Sequence, residues 1–265
     1  MTKQKKAVLA IFAIFIIFLL IAPRQNILRT DVLNTFAGCS GEHWLGTDNL
    51  GRDVYSLLVE GGLRTLFVVF LATAISFFTG TFLGMAAAFR GGLVRNLIQF
   101  LADFTLVIPT FIMAMVFSAL FGFSPVMAGV LFGIGNMGEY VNQAYDLASA
   151  LKKQEFIDAE TVIGLDNGKI IIFHVLPNIY RQLFVFLGNR AGNVIVQYSG
   201  LAFIGLGTDV TNPDWGTLLY QYRAYLTTYP RLVIFPALAV AILIVFFHLI
   251  FDDTSGSGEV KTIYD

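Results

Sequence analysis

The sequence is short of charge. Asp, Glu, Lys and Arg make up 13% of its 265 residues, against about 25% in soluble domains. The hydrophobic share is 56% and the mean hydropathy +0.73, which excludes an ordinary soluble domain and puts the chain in the membrane class. A basic excess is also missing: the net charge of −1 argues against a nucleic-acid partner. Cys39 is the sole cysteine, so no internal disulfide forms and the redox compartment is unreadable. Phe36-Ala-Gly-Cys39 has the outline of a lipoprotein cleavage box, but the preceding apolar run ends at Ala22, too far upstream to serve it. Cys39 and His43 are two ligands, which do not make a metal site. Gly164-Leu-Asp-Asn-Gly168-Lys169-Ile170 is one residue short of a P-loop and lacks its Ser/Thr. Gly133-Ile-Gly135-Asn-Met-Gly138 follows no strand, so small-residue helix packing explains it better than a dinucleotide site. No nucleophile–base pair stands out, so no catalytic residue is assigned and no cofactor is expected on this chain.

What is present is a series of apolar runs. Lys3, Lys5 and Lys6 precede an unbroken run from Ala7 to Ala22. At the helical rise this run reaches roughly 24 Å, short of a ~30 Å bilayer core unless the lysines snorkel. It reads as a retained first span, because Ala22-Pro23 offers no good signal-peptide cleavage site. Five further spans are expected at about 66–89, 97–120, 126–144, 183–203 and 232–251, the fourth diluted by glycines, Asn136 and Glu139. Six spans put both termini on one side. Lys3, Lys5, Lys6, Arg90, Arg95, Lys152, Lys153, Lys169, Arg181 and Lys261 then share that side. The opposite side holds the smaller set Arg24, Arg29, Arg52, Arg64, Arg223 and Arg231, so both termini are expected in the cytoplasm. The organisation is an anchor and external loop over 1–65, one membrane domain over 66–251, and a tail over 252–265. No internal repeat of the kind expected in a stand-alone secondary transporter is visible.

Between the fourth and fifth runs lies a polar segment, 145–181, placed in the cytoplasm by the same bias. Phe156, Ala159 or Glu160, and Ile163 recur at helical spacing beside Asp158, with Lys152 and Lys153 expected in solvent. Gly164 suits a left-handed C-cap, and Asp166-Asn-Gly168 a turn. A short helix through Lys169 to Phe173 is expected to stop at Pro177. Such a segment either docks in a partner groove or lies on the lipid surface. In the fifth span Asn189, Asn193 and Gln197 stand four apart. These amides line a hydrophilic path or bond neighbouring helices. Arg190 beside them needs a partner. By depth, counted at the helical rise, Asp103 is the first candidate and Glu139 the second.

The spacing Asp158-Ala159-Glu160…Gly164…His174-Val-Leu-Pro177 resembles the Glu-Ala-Ala signature of permease subunits of binding-protein-dependent ABC importers, with Glu160 where alanine is usual. His43-Trp-Leu-Gly46-Thr-Asp48-Asn-Leu-Gly51-Arg52-Asp53 resembles the external signature of the branch importing oligopeptides, dipeptides and nickel. Phe203-Ile-Gly205-Leu-Gly207 with Pro213-Asp214-Trp215-Gly216 resembles its signature after the fifth span. Asp103 and Pro109 fall where the branch has them. The Gly-Asp-x-Leu-Arg-Asp run usual near the C-terminus is missing at Asp252-Asp253.

The resemblance implies an all-α permease fold with a coupling helix in the segment at about 152–178. It implies a homologous permease as heterodimer partner, two ATPase subunits carrying ATP and Mg, and an external substrate-binding protein. Cargo is a peptide or, alternatively, nickel or a metal chelate. Within the external signature, Arg52 pairs with Asp48 or Asp53 and the glycines permit tight turns; contact with the binding protein is an added possibility. Residues 53–64 are expected along the outer interface.

The orientation has a direct check. A membrane-impermeant thiol reagent applied to intact cells is expected to label Cys39. If labelling requires lysis while a cysteine moved to position 255 reacts from outside, the orientation is inverted.

Overall fold

A computed structural model describes residues 3–207 and 209–251. The expected tail 252–265 lies outside the described residues. Apart from an isolated antiparallel bridge between Thr47 and Asp53, the described residues form helices and connecting loops. In chain order the helices are α1 Lys3–Ile21, α2 Val54–Arg90, α3 Gly92–Val107, α4 Thr110–Phe121, α5 Pro125–Gly135, α6 Met137–Lys152, α7 Glu155–Val162, α8 Asn167–Ile170, α9 Leu176–Phe203, α10 Trp215–Tyr222 and α11 Arg231–Phe251.

Among the described residues three helical stretches are long and apolar enough to cross a bilayer: Val54–Arg90, Asn167–Phe203 and Arg231–Phe251. A fourth arises if α3 and α4, bent by 81° at their junction, count as one span. That bend breaks the expected run 97–120. Pro109 has no N–H to donate and pushes Ile108 out of the helical region, to φ −84° and ψ 116°. The expected run 126–144 is likewise two helices, meeting at Asn136, and α6 continues to Lys152.

The second span starts much earlier than expected. Asp53 caps α2 by accepting from the backbone N–H of Ser56, and the helix then runs unbroken for 37 residues. At 1.5 Å per residue that is roughly 55 Å, far more than a ~30 Å hydrocarbon core. Residues 54–64 therefore extend the span axially and are not a separate interfacial helix.

α2 is the central post, packed on α6, α5 and α9. Its approach to α6 depends on absent side chains. A Cβ on Gly80 would lie 2.5 Å from the Tyr140 Cβ, and one on Gly84 would lie 2.3 Å from the Val141 carbonyl oxygen. Small residues four apart let two helix backbones meet where lipid offers no hydrophobic drive. Around the outside, α1 lies against α11 through Phe12, whose ring is 5.7 Å from those of Phe246 and Phe247.

Gly84→Leu is expected to lower the melting temperature of the detergent-solubilised protein, by overpacking of about 1–3 kcal/mol. An unchanged melting temperature would show that α2 and α6 do not meet at Gly84.

Candidate functional site

On one side of the helices, the two sequence signatures form a single structure. Asp48 is fully buried and Arg52 nearly so, at 0% and 3% exposure. The Asp48 carboxylate accepts from Arg52 Nε at 2.8 Å and Nη2 at 2.7 Å. It also accepts from the backbone N–H groups of Leu50 and Arg52, and from the Tyr222 hydroxyl at 3.0 Å. Burial pushes the Tyr222 phenol up, and the adjacent carboxylate adds to the effect, so the group stays a donor. Arg52 also donates to the Val210 carbonyl through Nη1 and to Gln221 Oε1 through Nη2. A charge pair removed from water survives only with such extensive hydrogen bonding.

Arg52 thus chooses Asp48; Asp53 is occupied by the cap of α2 and by His43 Nδ1 at 3.1 Å. Gly46 and Gly51 have positive φ, and a Cβ on Gly51 would run into the Asp31 carbonyl. Arg231, at the start of α11, donates to the carbonyls of Phe36 and Ala37. In the second signature, Asp214 caps α10 through Thr217 and accepts from the Tyr198 hydroxyl at 3.0 Å. Trp215 Nε1 donates to the Leu58 carbonyl. These bonds join the loop over residues 23–53 to α2, α9, α10 and α11.

At the opposite end of α9, α7 is short and tightly stopped. Gly164 N–H donates to the Thr161 carbonyl and Leu165 N–H to the Glu160 carbonyl, with Gly164 at φ +91°. This is the two-bond left-handed helix stop. Ile157 is buried and belongs to one apolar cluster with Met85, Phe89, Ile170, Val175 and Ile179. The outward face carries Phe156 at 44% exposure, Val162 at 87% and Ile163 at 74%. Asp158 and Ala159 are exposed with them and Glu160 is half-buried. His174 Nδ1 stands 3.8 Å from Glu160 Oε1, so the residue replacing the usual alanine faces the signature histidine.

One expectation about this segment changes. Pro177 stops nothing: α8, a π-helical turn over Ile171–Val175 and α9 form one stretch, Asn167–Phe203. Pro177 sits in the first turn of α9, where the wider π turn absorbs a missing N–H. Lys152 and Lys153 are exposed, as expected, but the Lys152 head group is also bound. Its Nζ donates to the Ala88 and Phe89 carbonyls at 3.0 and 3.4 Å and lies 5.3 Å from the Phe89 ring centroid. A cation thereby caps the C-terminal carbonyls of α2.

Inside the helical bundle the expected Arg190–Asp103 pair is corrected. Arg190 Nη1 bonds Glu139 Oε1 at 2.9 Å, while Asp103 is exposed on α3 and, among the described residues, makes no ion pair. Counting residues gives depth but not direction around the helix; α3 packs on α6, and α6 is the helix that carries Glu139 to α9. One turn earlier, Asn136 Nδ2 bonds Gln197 Oε1 at 3.1 Å. Of the three amides, Gln197 therefore bonds a neighbouring helix, whereas Asn189 and Asn193 are exposed. The sequence held a signal for this brace: Asn136 and Glu139 three apart face Gln197 and Arg190 seven apart, each pair on one helical face.

Among the described residues no group of three or more His, Cys, Asp or Glu side chains is placed to hold a metal. The arrangement is a membrane bundle with a bonded loop plate at one end and a capped, partly apolar helix at the other, which defines a membrane-embedded transport component. Residues 80–252 match the binding-protein-dependent transport system inner membrane component family, and the chain belongs to it. It is 31% identical over 232 residues, 88% of this chain and 76% of the relative, to the dipeptide transport system permease protein DppC of Alkalihalophilus pseudofirmus. It is 30% identical over 247 residues, 91% of this chain and 80% of the relative, to the glutathione transport system permease protein GsiD of Escherichia coli. The corresponding figures for GsiD of Pectobacterium atrosepticum are 27% over 237 residues, 89% and 78%. The family is one of transport subunits, and the chain is a multi-pass inner-membrane protein.

The two ion pairs are expected to differ in worth. Asp48→Ala leaves Arg52 buried and unpaired, a loss of about 3–5 kcal/mol. Arg190→Ala removes a pair whose members are 32% and 28% exposed, so about 1 kcal/mol is expected. Adding Glu139→Ala to Arg190→Ala should restore part of it. Thermal unfolding in detergent checks the order; equal losses would contradict the burial argument.

Proposed function

We propose that the chain forms half of the membrane pathway of an ATP-driven importer of dipeptides or oligopeptides. Its partners are a homologous permease in a heterodimer, two ATPase subunits that bind ATP and Mg, and an external substrate-binding protein. This chain binds no cofactor. Six spans and cytoplasmic termini complete the reading, with α1 as the first span, α3–α4 the third and α5–α6 the fourth.

The observation that carries it is α7. Its outward face keeps Phe156, Val162 and Ile163 in solvent, while the helix packs on α6 and α8 and buried Ile157 joins an apolar cluster that includes residues of α2 and α9. That face suits a groove in the ATPase subunit, and His174 and Pro177 join it rigidly to α9. When ATP closes the ATPase pair, a push on α7 is delivered to α2 and α9 together and shifts the population from inward-open to outward-open. Asn189 and Asn193 supply the polar wall of the path along α9. The peptide names of DppC and GsiD favour peptide over nickel as cargo.

Gly164→Pro is expected to cut ATP-driven uptake in proteoliposomes at least tenfold, because proline cannot take the positive φ or donate to Thr161. Gly164→Asn, which tolerates that φ, should retain most of it. In the same assay Asn193→Leu should slow uptake without loss of assembled complex. Full activity of Gly164→Pro would remove α7 as the coupling element.

A further inference from the structure

A cavity of about 320 Å³ opens where the outer part of α2, the turn between α4 and α5, and the loop after α9 converge. Its lining includes Arg64, Phe123, Tyr198, Asp209, Asn212 and Asp214. The size is at the lower end of small-ligand pockets. An extended dipeptide is roughly 7 Å long, from ~3.5 Å per residue.

The lining carries both charges. Arg64 Nη1 donates to the Asn212 carbonyl. Among the described residues, no hydrogen bond or ion pair engages its other N–H groups. The guanidinium therefore keeps donors for a carboxylate, which it grips in a fork. Asp209 is exposed, and hydrogen bonds from the Thr211 hydroxyl and backbone N–H hold its carboxyl below the usual range. Asn212 Nδ2 also donates to the Asp209 carboxylate, which remains exposed, whereas Asp214 is buried and bonded to Tyr198 and Thr217. The rings of Phe123 and Tyr198 lie nearly parallel, 6.3 Å apart and 8° from coplanar. The cavity lining thus holds one cationic and one anionic side chain, with an aromatic wall alongside.

We infer that this cavity is a cargo subsite at the outer mouth, holding the α-carboxylate of a short peptide on Arg64 and its ammonium group on Asp209. Phe123 and Tyr198 give its side chain an apolar wall. The inference rests on the peptide-importer reading. It adds a contact between this subunit and the cargo as the cargo leaves the binding protein.

The test uses the assembled importer in proteoliposomes and a dipeptide bearing a photoactivatable diazirine side chain. Cross-links should map to residues 122–125 or 198. Unlabelled dipeptide with free termini should compete at least tenfold better than its N-acetylated, amidated form. Arg64→Gln should reduce the cross-link at least tenfold; if that variant does not assemble, competition on the unmodified complex decides. If the dipeptide is transported but cross-links elsewhere, or both competitors act equally, the subsite is wrong and the importer reading stands. If no peptide is transported, the cargo reading fails and the subsite with it.

Discussion

A carboxylate and a guanidinium taken almost wholly out of water, Asp48 and Arg52, hold one end of this protein in one piece. Beyond each other, the two side chains bind Tyr222 and Gln221 on α10, the Val210 carbonyl in the loop before it, and the backbone of their own loop at Leu50. Leaving any member unpaired strands a buried charge, so the loop over 23–53 and the loop after α9 have little freedom to separate. At the same end Trp215 ties α10 to α2 through the Leu58 carbonyl and Thr65, and Arg231 adds α11.

The other end carries the proposed coupling helix. α7 is fixed by Ile157 and by its two-bond stop at Gly164. The continuous stretch Asn167–Phe203 runs from that stop to Tyr198, which touches the outer plate through Asp214. Lys152 ties α6 to the end of α2, and the Glu139–Arg190 and Asn136–Gln197 contacts tie α6 to α9. On the proposed reading, a displacement of α7 passes to α6 and α8, which it contacts, and from them to α2 and α9.

Much of this was legible in the sequence. Glycines at 46, 51, 164, 205 and 207 signal turns, and all have positive φ. The charge deficit gave the class, and the alternatives for Arg52 were two adjacent carboxylates, of which burial selects one. Illegible features depend on which helices meet. Hydropathy places residues by depth, so it could not tell Asp103 from Glu139 or show that Lys152 would cap α2. Pro109 and Pro177 illustrate the same limit. Both lack an N–H, yet one bends the chain by 81° and the other is absorbed by a π turn. The difference is set by the backbone around each proline. The long start of α2 was missed because its polar outer residues lower the hydropathy without lowering helix stability.

The central claim is that this chain carries cargo only as part of an ATP-driven complex. The most direct measurement is accumulation of a radiolabelled dipeptide in proteoliposomes holding this chain with its permease partner, ATPase subunits and binding protein. The account predicts uptake that requires both ATP and the binding protein and vanishes when the ATPase subunits are omitted. Dipeptide accumulation by this chain alone, driven by an ion gradient without ATP, would contradict it.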